Sequence, residues 1–214
     1  MAQVYKLTDP FVIAQANIIR SKESSSQDLK KALYHIGSEL GKKIIEEFYL
    51  KERKITTPME YDIDEAIFPD IPLSAVFTTK DDMQYYAKGL GEVLENCVLG
   101  CMDFEGRRGL QALNSPIREI ELPDVKNEAV DSLIIAKSTL ATGCTAVSLT
   151  KTALTHFLPR RLIIATIFYS VKGLNYLKRE LPNAHIFVVG KPDLLDKGGM
   201  LLPGIGNLDR RLRG

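Results

Sequence analysis

One segment of the chain combines small and hydroxyl-bearing residues in an order that suits anion binding. The apolar run "SLIIA" at 132–136 is followed by Lys137-Ser138-Thr139-Leu140-Ala141-Thr142-Gly143-Cys144-Thr145. Small residues let successive backbone N–H groups converge, and a helix predicted to begin near Ala146 aims its positive end at the same point. The hydroxyls of Thr142 and Thr145 are further donors for phosphate oxygens. The segment therefore predicts a phosphate site.

The pattern has a plainer interpretation as well. The spacings GxxxxGK[ST] and GxGxxG are both absent, and a Thr-Gly turn that only caps a helix has the same local appearance. Cys144 is interpreted as a small residue needed for shape, because no nearby histidine is available as its base. The choice between a phosphate site and a simple cap depends on the rest of the chain.

Apolar runs alternate with helical patterns around this segment. The runs typical of buried strands are "LSAVFTT", "CVLGCMDF", "SLIIA", "RLIIATIFYS" and "AHIFVVG". Helical periodicity is present in "DDMQYYAKGLGEVLEN", "AVSLTKTALTHFL" and "VKGLNYLKREL". This alternation predicts an α/β fold, with a mostly parallel sheet covered by helices on both faces. Ligands of such sheets bind at the carboxyl ends of the strands, where the loop 137–145 lies.

The flanking segments have different patterns. A stripe at spacings of three and four predicts an amphipathic helix capped by Ser24 to Ser26: Leu29, Leu33, Ile36, Leu40, Ile44 and Phe48. The short opening segment before it is interpreted as helical. Residues 51–72 predict irregular structure with one short extended piece at Ile55, and 105–130 an excursion outside the sheet. The Gly- and Pro-rich tail is expected to be mostly loop.

Length and composition limit the possible classes of protein. We expect one domain over residues 1–214, with a helical segment 1–50 packed on a core 70–190 and a tail 191–214. A formal net charge of +1, from 28 Lys+Arg and 27 Asp+Glu, gives no global field for nucleic acid. No apolar run suits a membrane helix and no signal peptide is evident, so a soluble, cytoplasmic protein is expected. The 3 cysteines fit a reducing compartment, with Cys97 and Cys101 interpreted as core thiols.

Two motifs together resemble the uracil phosphoribosyltransferase family. "LATGCTA" is similar to the family's phosphoribosyl-pyrophosphate (PRPP) loop, V-D-P-M-L-A-T-G-G-S, and "LLPGIGNLDRRL" to its uracil loop, Y-I-V-P-G-L-G-D-A-G-D-R. The similarity extends over most of the chain, including "TTPM" at Thr56 to Met59. It implies a type I phosphoribosyltransferase core with N-terminal helices and a C-terminal hood. The implied reaction is Mg²⁺-dependent transfer of 5-phosphoribosyl from PRPP to uracil, giving UMP and pyrophosphate.

The resemblance also implies roles for individual residues. The 5′-phosphate would lie against Thr142, Gly143, Cys144 and Thr145, with the Ala141 backbone facing the base. Leu201 and Gly206 would offer backbone hydrogen bonds to uracil, within a loop that contains Met200, Leu202 and Gly204 as well. A homo-oligomer, dimer or tetramer, is implied by resemblance alone.

Several positions depart from the family pattern. Lys137 stands where the family has the aspartate of V-D-P, which reverses the charge beside the ribose. Asn207 replaces the aspartate of G-L-G-D, and Met200 replaces a tyrosine. An ungapped match of the family's L-R-A-G loop puts Lys80 on the arginine, with Asp81 and Asp82 on the two small residues. These carboxylates would repel pyrophosphate unless magnesium bridges them.

Three arginines are weaker candidates for phosphate contacts. Arg107 and Arg108 follow a predicted strand in "FEGRRGL", and Arg210 matches the arginine of G-D-R. Arginines in such loops are often only solvated. The departures leave two interpretations open: an active enzyme with altered contacts, or a catalytically degraded relative that binds UMP or another nucleotide as a regulatory or partner subunit.

Overall fold

The computed structural model describes residues 2–103, 119–121 and 129–213. Within these ranges seven strands form one sheet, parallel at every pairing except the last. In sheet order the strands are β1 (Gln3–Leu7), β11 (His185–Val189), β9 (Arg161–Thr166), β7 (Ser132–Ala136), β4 (Ser74–Thr79), β5 (Cys97–Asp103) and β6 (Glu119–Glu121). The five strands expected from the apolar runs are confirmed, and β7 is the central one.

Both faces of the sheet are buried, which explains the continuous apolar runs. On one face, Ile134 and Ala136 of β7 pack with α1 (Pro10–Arg20), α2 (Ser26–Phe48) and α4 (Lys88–Val93). On the other, Leu133 and Ile135 pack with α5 (Cys144–Ala153) and α6 (Val171–Glu180). The predicted α/β class, a mostly parallel sheet with helices on both faces, is confirmed.

Helix α2 confirms the amphipathic prediction. Five of the six residues of the stripe are at most 1% exposed: Leu29, Leu33, Ile36, Leu40 and Ile44. Ser25 caps the helix in a capping box with Asp28. Gly37 lets the helix approach the π-helical turn Met83–Ala87, since a Cβ at this position would lie 2.2 Å from the Tyr86 carbonyl oxygen. This turn links α3 (Lys80–Asp82) to α4 and so connects α2 to the end of β4.

The N-terminal third contains strands that the sequence patterns did not indicate. The opening segment begins with β1 before α1, and among the described strands β1 pairs with β11 alone, near the other end of the chain. Residues 51–72 do not form irregular structure; they contribute to an antiparallel hairpin of β2 (Leu50–Thr56) and β3 (Asp62–Pro69). Most residues of this hairpin are exposed, and Lys54 pairs with Asp62 across it. Its sequence therefore lacks the alternation of apolar and polar residues that would predict strands.

Short elements complete the described chain. Part of the segment 105–130 is not outside the sheet, because β6 pairs with β5 at its edge. Two-residue strands β8 (Thr139–Leu140) and β10 (Phe168–Tyr169) pair in parallel. The tail contains β12 (Leu194–Leu195) paired with β13 (Leu201–Leu202), and then α7 (Leu208–Arg213). Across the described ranges, no helix combines the length and the apolar character needed to cross a membrane.

Candidate functional site

A cavity of about 350 Å³ opens at the carboxyl ends of the central strands. It is lined by the ends of β4, β5 and β7, by the loop after β7 and by the C-terminal tail. This is the position at which open α/β sheets bind their ligands. Two segments contribute to this lining: the anion cradle (residues 141–146) and the C-terminal loop (residues 200–206).

The anion cradle presents free backbone donors to the cavity. Gly143 precedes α5 with φ of 85°, and its carbonyl accepts the first helical hydrogen bond, from the Val147 amide. The amides of the residues between them have no backbone acceptor in the described chain, as expected for the first turn of a helix. No side chain of the described residues caps the helix. A first helical turn with free amides can bind an anion.

Helix α6 supports the cradle from behind. The hydroxyl of Ser170 donates to the Ala141 carbonyl oxygen at 2.6 Å and accepts from the Gly173 amide at 2.8 Å. A Cβ at Gly173 would lie 2.6 Å from the same carbonyl oxygen, so only glycine permits this packing. Because the C=O and N–H of a trans peptide point in opposite directions, a carbonyl held toward α6 turns the Thr142 amide away from α6.

The C-terminal loop also lines the cavity. Gly204 has φ of 66°, and a Cβ there would lie 2.3 Å from the Leu201 carbonyl oxygen. Two arginines hold the loop: the Gly204 carbonyl accepts from Arg20 Nη1 at 3.2 Å, and the Ile205 carbonyl from Arg211 Nη1 at 2.8 Å. Met200, Leu201, Gly204 and Gly206 all line the cavity.

An ion pair occupies the floor of the cavity. Lys137 Nζ lies 2.5 Å from Asp82 Oδ2, and the two side chains are 13% and 0% exposed. The same carboxylate oxygen accepts from the Ser138 amide at 3.1 Å and from Thr79 Oγ1 at 3.4 Å. Oδ1 of Asp82 is buried and finds no partner among the described residues. A buried carboxylate needs such partners to offset the loss of its hydration. The Lys137 ammonium therefore serves largely to neutralise Asp82.

Two further carboxylates meet across the cleft. Asp81 of α3 and Asp209 of α7 both line the cavity. Burial, and next the charge of Asp209, raise the pKa of Asp81 to about 6. Asp81 is nevertheless exposed to solvent. Two like charges in one cleft favour either a shared proton or an added cation.

Most of the residues singled out from the sequence line this cavity. Ten of them do so: Lys80, Lys137, Ala141, Thr142, Gly143, Thr145, Met200, Leu201, Gly204 and Gly206. Cys144 has a buried side chain behind the cradle. Leu202 and Arg210 are exposed outside the lining. Asn207 caps α7 instead, accepting from the Arg210 amide at 3.0 Å. Arg107 and Arg108 lie outside the described residues.

Four residues of the site have roles that the sequence patterns do not indicate. Asp82 forms an ion pair with Lys137, whereas the family pattern marks it as an unfavourable replacement. Asp209 directly precedes Arg210 in the motif of the tail, and this proximity is the local feature that could have indicated its role. Arg20 is far in sequence from Gly204, whose carbonyl it holds, and Arg211 follows Ile205 by six residues. No sequence pattern pairs either arginine with a carbonyl oxygen.

Comparison with known proteins adds sequence evidence. The family model for uracil phosphoribosyltransferase matches residues 107–213, half of the chain. The protein named uracil phosphoribosyltransferase of Thermococcus sibiricus is 29% identical over 216 residues, covering 99% of this chain and 90% of its own. Its counterpart in Thermococcus gammatolerans is 26% identical, covering 99% and 93%. The AQ2163 protein from Aquifex aeolicus has the same fold, with a TM-score of 0.77 at 23% identity over 98% of this chain and 97% of its own.

Proposed function

This chain belongs to the uracil phosphoribosyltransferase family, and from that premise we propose that it transfers a 5-phosphoribosyl group from PRPP to uracil. The products are UMP and pyrophosphate. The observation that carries the proposal is the meeting of two loops in one cavity, since both the anion cradle and the C-terminal loop line it. A nucleoside monophosphate has a phosphate at one end and a base at the other, so it suits a cavity that contains both loops.

The cradle is assigned to the 5′-phosphate. Free amides at the start of α5 and the hydroxyls of Thr142 and Thr145 supply donors, and the positive end of the helix favours an anion. None of these groups carries a formal charge that would need a counterion in the empty site. Binding here fixes the position of the ribose relative to the base.

The C-terminal loop is assigned to the base. With the carbonyls of Gly204 and Ile205 held by arginines, the loop offers backbone amides in preference to carbonyls. Amide donors suit the carbonyl oxygens of a dioxopyrimidine, and a base amino group at the same place would meet a donor. Met200 is an apolar cover for the ring, because a thioether side chain packs well against aromatic faces.

The chemical step requires positioning and charge stabilisation above all. The bond from uracil N1 to ribose C1′ forms, the bond from C1′ to the pyrophosphate oxygen breaks, and the N1 proton is released to water. Holding both reactants in one cavity converts the encounter into an intramolecular event, an effect that reaches about 7–11 kcal/mol in favourable cases. Lys80, at the start of α3, is the cation that we assign to the leaving pyrophosphate.

The residues present fit a magnesium ion at the pyrophosphate end. Mg²⁺ is held in proteins by one or two carboxylates together with substrate phosphates and water. Asp81 and Asp209 supply two carboxylates whose mutual repulsion an added cation would relieve. Within the described ranges, no group of three or more His, Cys, Asp or Glu side chains is arranged to bind a metal without such help. When bound, Mg²⁺ supplies charge neutralisation for the departing pyrophosphate.

The ion pair of Lys137 and Asp82 favours a second candidate function. A lysine neutralised by a buried aspartate cannot accept hydrogen bonds from ribose hydroxyls as the family's aspartate can. Loss of one preorganised electrostatic contact costs about 2.7–4 kcal/mol of barrier. A chain that keeps both loops but lacks this contact would still bind UMP, as a regulatory or partner subunit.

One experiment separates the two functions. The full chain is mixed with uracil, PRPP and Mg²⁺, and pyrophosphate release is followed continuously, with UMP binding measured by calorimetry in parallel. Release that depends on uracil supports the transferase. UMP binding without release, across a panel of nucleobases, supports the binding protein, and neither release nor binding rejects both.

A further inference from the structure

We infer that Arg20 and Arg211 are positioning residues, which orient two peptide groups of the C-terminal loop so that their amides face the base. The inference rests on the proposed function, because the ligand read by these amides is the base of that reaction. Neither arginine lines the cavity. Both act through the carbonyls of Gly204 and Ile205.

Arg211 ties the loop to the N-terminal region. Its Nη1 donates to the Ile205 carbonyl at 2.8 Å and to the Ile19 carbonyl at 2.6 Å. Its Nη2 donates to the Ser21 carbonyl. One planar guanidinium thus joins three carbonyls from two segments: the end of α1 with Ser21, the residue that follows it, and the C-terminal loop. Lysine has no equivalent fork of donors.

Arg20 is fixed more rigidly still. Its two terminal nitrogens bind the carboxylate of Asp193 at 3.0 Å and 2.7 Å, a bidentate arrangement. Its guanidinium carbon lies 4.5 Å from the centre of the Phe168 ring. Asp193 is almost fully buried, with a side chain 5% exposed. Nη1, which carries a second N–H, also donates to the Gly204 carbonyl at 3.2 Å.

The direction of the amides follows from peptide geometry. In a trans peptide the C=O and the following N–H point in opposite directions, and the cis bond found among the described residues is Leu202-Pro203, outside these two peptides. With the carbonyls of Gly204 and Ile205 directed at the arginines, the amides of Ile205 and Gly206 point away from them. Neither amide has a backbone acceptor in the described chain.

These two amides are therefore donors reserved for a ligand. Gly204, Ile205 and Gly206 line the cavity, so an acceptor within it can meet the amides directly. A carbonyl that accepts from a cation also polarises its own peptide, which makes the attached N–H a stronger donor. The Ile205 and Gly206 amides therefore select a base that has oxygen acceptors on the edge facing the C-terminal loop.

The test uses arginine-to-lysine substitutions in the full chain. Arg211→Lys and Arg20→Lys keep the charge but lose the divergent donors, and Arg213→Lys on the same helix is the control, since Arg213 is exposed outside the cavity. We expect the KM for uracil to rise at least tenfold in the first two variants, with the KM for PRPP changed less than about threefold. The control should match the wild type in both constants. If Arg211→Lys does not fold, Asp193→Asn releases Arg20 and serves in its place.

A second readout does not depend on turnover. In ¹H–¹⁵N spectra, UMP should shift the amides of Ile205 and Gly206 in the wild type, and these shifts should weaken in Arg20→Lys while those of the cradle persist. Unchanged uracil KM and unchanged shifts at Ile205 and Gly206 in both variants overturn the inference and leave the proposed function standing. A wild-type chain with neither turnover nor any UMP-induced shift rejects the proposed function, and the inference with it.

Discussion

The ammonium of Lys137 lies 2.5 Å from the Asp82 carboxylate at the floor of the cavity. The family pattern has an aspartate at the position of Lys137 and a small residue at the position of Asp82. An ion pair between these two positions is therefore absent from the family pattern. Lys137 directly follows β7, and Asp82 ends α3, which follows β4; the two strands are parallel neighbours. Lys137 is therefore in large part a structural partner of Asp82.

Removal of Lys137 is expected to destabilise the fold. Lys137→Met leaves the Asp82 carboxylate buried without its counterion, which typically costs about 3–5 kcal/mol. The double variant Lys137→Met with Asp82→Asn should recover most of that loss, because the neutral amide can still accept from the Ser138 amide. Urea unfolding of the wild type and both variants measures the difference. A single variant as stable as the wild type would show that Asp82 does not depend on Lys137.

The acidic pair across the cleft predicts a pH dependence of stability. The pKa of Asp81 is raised to about 6 in the folded chain, by burial and then by Asp209, so the folded state holds this proton more tightly than the unfolded state. The resulting stabilisation is present below about pH 4 and is lost as the pH rises through about 6. Asp81→Asn should equal the wild type near pH 4.

At pH 8 the same variant should be more stable than the wild type. We expect a gain of at most ~1 kcal/mol, because the side chain is partly exposed and water screens the repulsion. Urea unfolding at both pH values checks this, with the exposed hairpin substitution Glu52→Gln as a control that changes neither. Equal stability of wild type and Asp81→Asn at pH 8 contradicts the proposed repulsion.

Magnesium should bind where the two carboxylates meet. The melting temperature of the wild type is expected to rise more with Mg²⁺ and pyrophosphate together than with pyrophosphate alone, because ligands that bind only the folded state stabilise it. Asp81→Asn with Asp209→Asn should abolish most of the extra rise. An undiminished rise in the double variant would place the cation elsewhere.

Gly143 should not tolerate a side chain. Its φ is 85°, and a Cβ there would lie 3.0 Å from the Gly173 carbonyl oxygen and 3.1 Å from Tyr176 Cδ1. Gly143→Ala is expected to lose about 1–2 kcal/mol of unfolding free energy. Gly198→Ala is the matched control, since Gly198 also lines the cavity and its Cβ would meet only the flexible Asp196 side chain. Equal losses in the two variants would show that the turn geometry is unimportant.

The cradle hydroxyls should contribute to nucleotide affinity. Hydrogen bonds to charged groups contribute about 1.5–3 kcal/mol each, so Thr142→Ala with Thr145→Ala should weaken UMP binding at least tenfold. Calorimetry measures the affinity, and Thr155→Ala, an exposed threonine just beyond α5, controls for loss of any hydroxyl. An unchanged Kd in the double variant would remove the phosphate from the cradle.

The elements that could be predicted from the sequence are those whose pattern lies within one short segment of the chain. Ile134 and Leu133 belong to a run buried on both faces, and such a run is apolar whatever lies around it. The stripe of α2 is visible for a similar reason, because its period matches the helix. The loop at Thr142 to Thr145 was visible because its residues are adjacent.

The features that escaped depend on residues far apart in the chain. Strand β1 forms by pairing with the edge of β11. Arg20 contacts Asp193 and Gly204 because the folded sheet places α1 next to the C-terminal tail. From the sequence, Asp82 is expected to repel pyrophosphate. In the fold, however, its carboxylate forms an ion pair with the Lys137 ammonium. Asn207 matched a motif position, yet the start of α7 uses its side chain as a cap.

The central claim is that one nucleotide spans the two loops of the cavity. The most direct test is a crystal structure of the full chain with UMP. The account predicts the phosphate against the amides and hydroxyls of Thr142 to Thr145, and a uracil oxygen within hydrogen-bond distance of the Ile205 or Gly206 amide. A nucleotide bound outside this cavity, or one whose base lies away from the C-terminal loop, would contradict it.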